Sequence, residues 1–317
     1  MVEGGETVPG EEYRQLLPFL PPELRLALAA AGAEGLAGLE EVRLKTERPV
    51  LLRFDGCERF LGDGVLTDDP ASARPFSRQE MKKTMLLLSE SSVYAFSEEL
   101  RRGYITLPGG HRAGFAGRAV LEKGALRTLK EISSVNLRIA REVKGAGESL
   151  LARLPLTGGV LPSTLLVAPP RAGKTTLLRD LARLLSDGVG VRPFRVGLAD
   201  ERSELAACRD GVPQLDVGLR TDVVDGCPKA EAMLLLLRSM GPEVLVTDEL
   251  GREEDGAAVA EAAMSGVSVL ATAHARNAAE ARQRPLLRRL LNEGCFRCLV
   301  VLSRRMGPGT VEEVTRL

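Results

Sequence analysis

With 317 residues, 44% apolar and 27% charged, the chain has the composition of a globular protein long enough for two cores. Its 43 basic residues are matched by 43 acidic ones, so it lacks the basic excess that drives binding to phosphate backbones, and no nucleic acid is expected as a partner. Five scattered cysteines exclude a disulfide framework and fit a reducing, cytosolic setting, and the longest apolar run, residues 232–237, ends at Arg238, far short of the ~20 residues of a membrane span.

Residues 1–12 are rich in Gly and Glu and lack the basic-then-apolar order of a signal peptide. They are expected to open a disordered tail that ends at residue 16. Residues 17–143 then read as an α+β domain. An amphipathic helix is expected at 21–31, and a strand pair at 41–54 around the turn Glu47-Arg48-Pro49. Ser77 followed by Glu80 predicts a capping box opening a helix over 77–88. Strand-like runs at 103–107, 113–120 and 127–132 are joined by Pro108-Gly109-Gly110 and by Lys123-Gly124. Residues 144–160 mix Gly and Pro with a short helical stretch and read as a linker. From 161 to 317 the rhythm becomes strand, turn, helix. Strands are expected at 164–167, 194–199, 244–247, 267–272 and 298–302, and helices at 175–185, 229–240, 254–264 and 278–291. That alternation implies an α/β domain with a mainly parallel sheet covered on both faces.

Three strand ends carry chemistry. Ala168, Pro169, Pro170, Arg171, Ala172, Gly173, Lys174 and Thr175 have the spacing of a phosphate loop between an apolar strand and a helix. Gly173 lets backbone N–H groups close around phosphates, and the helix N-terminus adds its positive dipole end. Lys174 is placed to reach the β- and γ-phosphates of ATP, the Thr175 hydroxyl to bind Mg²⁺, and Thr176 to touch the α-phosphate. Ala168 stands where this loop usually has Gly. The apolar strand at 244–247 runs into Asp248 and Glu249, the first placed to hold the Mg²⁺ shell and the second to activate water. Asp200 and Glu201 form a second acidic strand end, which makes Glu201 a rival base. His274 follows the next strand and is read as a γ-phosphate sensor.

Oligomeric ATPases often borrow an arginine from a neighbour. Arg220 and Arg238 are candidates from the second domain, Arg112 and Arg138 from the first. Cys295-Phe-Arg-Cys298 has no further ligands close by and enters a strand, so buried thiols are expected. His111, on an expected hairpin loop, is assigned no metal.

The phosphate loop, the Asp200–Glu201 box, the Asp248–Glu249 strand end and His274, in that order, resemble the secretion-type ATPases of the RecA-like class. From about Leu17 the whole chain resembles the stage III sporulation protein AA family. The segments that carry this likeness are Glu41-Val-Arg-Leu, Tyr104-Ile-Thr-Leu-Pro-Gly-Gly-His-Arg112, Asn136-Leu-Arg-Ile-Ala, Asp200-Glu-Arg-Ser-Glu204, Gly218-Leu-Arg-Thr-Asp-Val and Asp225-Gly-Cys-Pro-Lys229. The resemblance implies a RecA-like core and a cytosolic ATPase of the mother cell of an endospore former. It further implies a hexameric ring driving a membrane channel complex between mother cell and forespore, and a first domain that supplies arginines over the nucleotide. Two other readings are a nucleic-acid motor, disfavoured by 3% aromatics, and a nucleotide-gated scaffold, disfavoured by the presence of Lys174, Asp248 and Glu249.

Overall fold

The computed structural model describes residues 12–89, 93–156 and 158–317. The chain divides into two compact units, Met1–Arg141 and Glu142–Leu317.

In the first unit Glu12–Phe19 forms a 3₁₀ helix with Tyr13, Leu16 and Phe19 buried. Three residues per turn eclipse positions three apart, so these side chains share one face. Residues 12–16, expected in the tail, therefore belong to this helix, and residues 1–11 lie outside the described ones. Helix α1 spans Pro22–Gly35, followed by strands β1 (Leu39–Lys45), β2 (Leu51–Phe54), β3 (Cys57–Leu61) and β4 (Leu66–Thr67). Helix α2 (Arg78–Leu88) opens on the expected capping box: the Ser77 hydroxyl accepts from the Glu80 N–H at 3.2 Å, and the Glu80 carboxylate accepts from the Ser77 N–H at 2.9 Å. Helix α3 (Val93–Arg102) leads to β5 (Tyr104–Thr106) and the long hairpin of β6 (Arg112–Glu122) and β7 (Ala125–Arg138). Among the described residues these strands form one antiparallel sheet, β4-β3-β2-β1-β7-β6-β5.

His111 lies on the hairpin loop between β5 and β6, as expected, with its side chain turned inward and 1% exposed. The Ala140 N–H donates to its Nδ1 at 2.9 Å, so Nε2 carries the proton and donates to Gln15 Oε1 at 3.1 Å. Burial lowers its pKa to about 4.

The second unit begins before the expected core. Helix α4 (Glu148–Leu151) places Leu150 and Leu151, with Leu154 beyond it, in one apolar cluster with Leu181 and Leu184. The Gly147 N–H donates to Asp180 at 2.7 Å. Within the expected linker, Gly147 to Leu154 is thus packed structure, because three leucines in five positions have an apolar face to bury, whereas Val160 is exposed. Then follow β8 (Thr164–Ala168), α5 (Lys174–Asp187), β9 (Val196–Asp200), β10 (Thr221–Asp225), α6 (Lys229–Ser239), β11 (Val244–Thr247), α7 (Glu253–Met264) and β12 (Ser268–His274). The chain ends with α8 (Ala278–Gln283), α9 (Pro285–Asn292), β13 (Cys298–Ser303) and β14 (Thr310–Arg316). The one helix expected over 278–291 is two, because Pro285 bars the residue before it from helical backbone.

The sheet order is β10-β9-β11-β12-β8-β13-β14, parallel throughout except for β14 against β13. Strands β8, β9 and β11 are buried at every position, as befits a sheet covered on both faces. Cys298 is fully buried and Cys295 nearly so, and burial raises both thiols above their ordinary pKa.

Candidate active site

The carboxyl ends of β8, β11 and β12 meet at one edge of the parallel sheet, where such folds hold ligands. From β8 the chain turns through Arg171 (φ 59) and Gly173 (φ 81), both left-handed, before α5 starts at Lys174 with no side chain capping it. A Cβ at Gly173 would lie 2.9 Å from the backbone nitrogen of Gly309. That nitrogen donates to the Ala172 carbonyl at 2.9 Å, so the β13–β14 turn braces the loop from outside. Residues 170–176, Glu249, His274 and Pro308 enclose a cavity of about 570 Å³. Ala168 and Pro169 do not line it; they contribute carbonyl oxygens to the Lys174 ammonium, at 3.4 and 3.3 Å.

Lys174 also donates to His274 Nδ1 at 3.2 Å. An ammonium can only donate, so Nδ1 accepts and Nε2–H donates to Glu249 Oε1. Lys174 is 6% exposed. Burial pulls its pKa below the ordinary range, opposed by the charges of Asp248 and Glu249. The Thr175 hydroxyl donates to Asp248 Oδ2 at 2.6 Å, and the Thr272 hydroxyl to Asp248 Oδ1. Partial burial pushes the Glu249 carboxyl up, but the hydrogen bond from His274 and the charges of Arg202 and Lys174 outweigh it and hold it below its ordinary value.

Lys174, Thr175, Asp248, Glu249 and His274 thus converge. The second acidic pair lies beside them, lining a smaller cavity with Asp248 and Glu249. Asp200 is 3% exposed and its carboxylate accepts from the N–H groups of Glu204, Leu205 and Ala206 at 2.8, 2.9 and 2.9 Å. It closes a loop rather than facing a phosphate, and burial raises its pKa to about 6 against those donors. Arg179 of α5 holds the same loop, donating to the Leu205 and Glu204 carbonyls at 2.6 and 2.7 Å. Glu201 pairs with Lys229 at 3.3 Å and Arg252 at 3.7 Å. The cavity it shares with Glu249 is about 20 Å³, room for about one water and not for a phosphoryl group. Arg220 also lies elsewhere. It is exposed, with its N–H on the Ser186 hydroxyl at 2.6 Å and its guanidinium on the Ser186 carbonyl at 3.1 Å, about 18 Å along α5 from Lys174 at ~1.5 Å per residue. Arg238 pairs with Glu261 at 3.8 Å, Arg138 with Glu41 at 3.2 Å, and Arg112 lies over the Tyr104 ring at 3.7 Å.

Thr272, Lys229, Arg202 and the turn at Pro308–Gly309 were not singled out from the sequence. Thr272 had a signal, a polar residue two positions before His274 and on the same side of β12. Lys229 and Arg202 stood in the sequence only as members of family segments, and the Pro308–Gly309 turn reaches the site only through the fold.

The model for the family "Sporulation stage III, protein AA" matches residues 11–316. Stage III sporulation protein AA of Bacillus subtilis (strain 168) is 41% identical over 301 residues, 95% of this chain and 94% of that protein. Protein SEEDLING PLASTID DEVELOPMENT 1 of Arabidopsis thaliana is 29% identical over 269 residues, 84% of this chain and 34% of that protein. Among solved structures, the Legionella pneumophila ATPase DotB matches with a TM-score of 0.51 and 17% identity, covering 88% of this chain and 74% of that one. The pilus retraction motor PilT with bound ADP matches with a TM-score of 0.54 and 16% identity, covering 83% and 74%. At such identities the likeness shows the fold alone, a RecA-like α/β core. The chain belongs to the family of sporulation stage III protein AA.

Proposed function

We propose that the chain is a Mg²⁺-dependent ATPase motor. The observation that carries this reading is the convergence of Lys174, Thr175, Asp248, Glu249 and His274 around one cavity at the start of α5. The residues fit Mg²⁺. Among the described residues no cluster of three His, Cys, Asp or Glu side chains exists to cage a metal. Mg²⁺ is instead held through one or two protein oxygens with substrate phosphates and water, and the Thr175 hydroxyl and Asp248 carboxylate supply such a pair. When bound, the ion neutralises charge developing on the phosphate oxygens. The loop N–H groups and the α5 N-terminus bind the phosphate chain. Lys174 exchanges the carbonyls of Ala168 and Pro169 for phosphate oxygens. Glu249, kept ionised by its neighbours, accepts a proton from water at the cavity wall, and His274 reports phosphate occupancy to it.

The family and the name of the Bacillus relative support a place in spore formation: a ring, hexameric by analogy with secretion motors, in the mother-cell cytoplasm, energising a membrane-embedded channel complex toward the forespore. No helix among the described residues is long and apolar enough to cross a membrane, which fits a motor acting on a separate membrane assembly. A neighbour completes the site in this reading, and exposed arginines such as Arg220 are available to do so. The test is ATP turnover per subunit across protein concentration, with Lys174→Ala as the blank. Turnover that climbs with concentration and vanishes in the variant supports shared sites. No turnover above the blank at any concentration contradicts an autonomous motor.

A further inference from the structure

Glu249 sits in a backbone conformation that L residues rarely adopt, φ 52, at the point where its side chain must be aimed. It stays there because both sides of its backbone are held. Its N–H donates to the Thr272 hydroxyl at 2.9 Å, and its carbonyl accepts from the Lys229 ammonium at 2.7 Å. The next N–H, of Leu250, donates to the Thr272 carbonyl at 2.8 Å.

Lys229 is an improbable residue for that place on general grounds. It is 8% exposed and is the first residue of α6, where the helix dipole opposes positive charge. A buried cation there persists only if it is compensated. The compensation is Glu201, 3.3 Å away. Glu201, Lys229 and the Glu249 carbonyl form a chain from the end of β9, through α6, to the end of β11.

We infer that Lys229, held by Glu201, is the positioning residue that aims the Glu249 carboxylate, and that Glu201 acts through Lys229 rather than as a base. This rests on the ATPase reading and extends it: Glu249 alone touches the attacking water, and the acidic pair at β9 divides into a loop closure (Asp200) and a counter-ion (Glu201).

The test compares Lys229→Met, Lys229→Arg, Glu201→Gln and Glu249→Gln in the full chain, with thermal unfolding as the folding check. Lys229→Met lowers kcat by about 10- to 100-fold, the scale of a misplaced catalytic group, with KM within about twofold. Lys229→Arg regains part of the loss, because it still donates to the Glu249 carbonyl. Glu201→Gln loses less than Lys229→Met, since the amide oxygen still accepts from Lys229. Amide hydrogen exchange over residues 248–251 speeds up in Lys229→Met and not in Glu249→Gln. The inference is overturned if Lys229→Met keeps wild-type kcat, or if Glu201→Gln falls to the floor set by Glu249→Gln. It is also overturned if exchange at 248–251 is unchanged by Lys229→Met. A wild type without turnover defeats the ATPase reading, while the exchange measurement still decides the clamp.

Discussion

Replacing Gly173 by alanine tests the shape of the phosphate loop with a single methyl. The position has φ 81, a left-handed conformation that costs an L residue about 1 kcal/mol. The new Cβ would also stand 2.9 Å from the Gly309 nitrogen and 3.3 Å from the Pro308 carbonyl carbon, both backbone atoms. Relief requires the β13–β14 turn to withdraw, which breaks the Gly309 N–H to Ala172 bond, a net loss of about 0.5–1.5 kcal/mol. The sum is about 2 kcal/mol before repacking, given the same sources. Gly190→Ala is the control: φ is 71 and nothing lies within 4 Å, so only the backbone strain of about 1 kcal/mol applies. Urea unfolding should place Gly173→Ala below Gly190→Ala, and ATP affinity should fall only in Gly173→Ala. Equal stabilities with wild-type affinity in both would refute the claim that the C-terminal turn braces the loop.

Three further outcomes follow from separate features. Because its folded pKa lies near 4 rather than the ordinary 6.5, the His111 contribution to stability is complete above pH 6.5 and is lost as pH falls through about 4. The shift corresponds to about 3 kcal/mol at ~1.36 kcal/mol per pKa unit. The chain has two histidines, so NMR titration should show one imidazole titrating near 4 and missing in His111→Gln. A value near 6.5 for both would contradict its burial. Thr175→Val removes the hydroxyl that meets Asp248 at 2.6 Å and should raise the Mg²⁺ concentration for half-maximal turnover by about 10- to 100-fold; an unchanged Mg²⁺ curve counts against that pair. In the first unit, Gly117→Ala puts a Cβ 2.6 Å from the Lys130 carbonyl oxygen across the β6–β7 hairpin. It should destabilise by about 1–3 kcal/mol in urea unfolding, and a neutral result would mean the hairpin is not packed as described.

The parts of this fold that were legible in the sequence were those with a strong local signal. Strands β8, β11 and β12 are apolar runs bounded by chemistry-bearing residues, and the Ser77–Glu80 box announced α2. Strands β10 (TDVVD) and β14 (TVEEVTR) were not legible, because these edge strands, half in water, carry more polar than apolar residues. The short helical stretch that became α4 was legible, but the glycines and prolines around it made the segment read as a linker. The site shows the same division. Lys174, Thr175 and Asp248 follow from spacing along the chain. The roles of Asp200 and Glu201 do not, because two adjacent carboxylates at a strand end look alike until the three N–H donors of residues 204–206 and the Lys229 ammonium are seen around them. Lys229 was visible only as part of a family segment, since a lysine opening a helix carries no sign of which carbonyl it will meet.

The most direct test of the central claim is phosphate release from MgATP by the purified chain beside Glu249→Gln, with ATP affinity measured for both. The account predicts release by the wild type, a loss of about 10²–10⁴-fold in the variant, and affinities within about twofold of each other. Equal release by the two, or none from the wild type despite tight ATP binding, would contradict it.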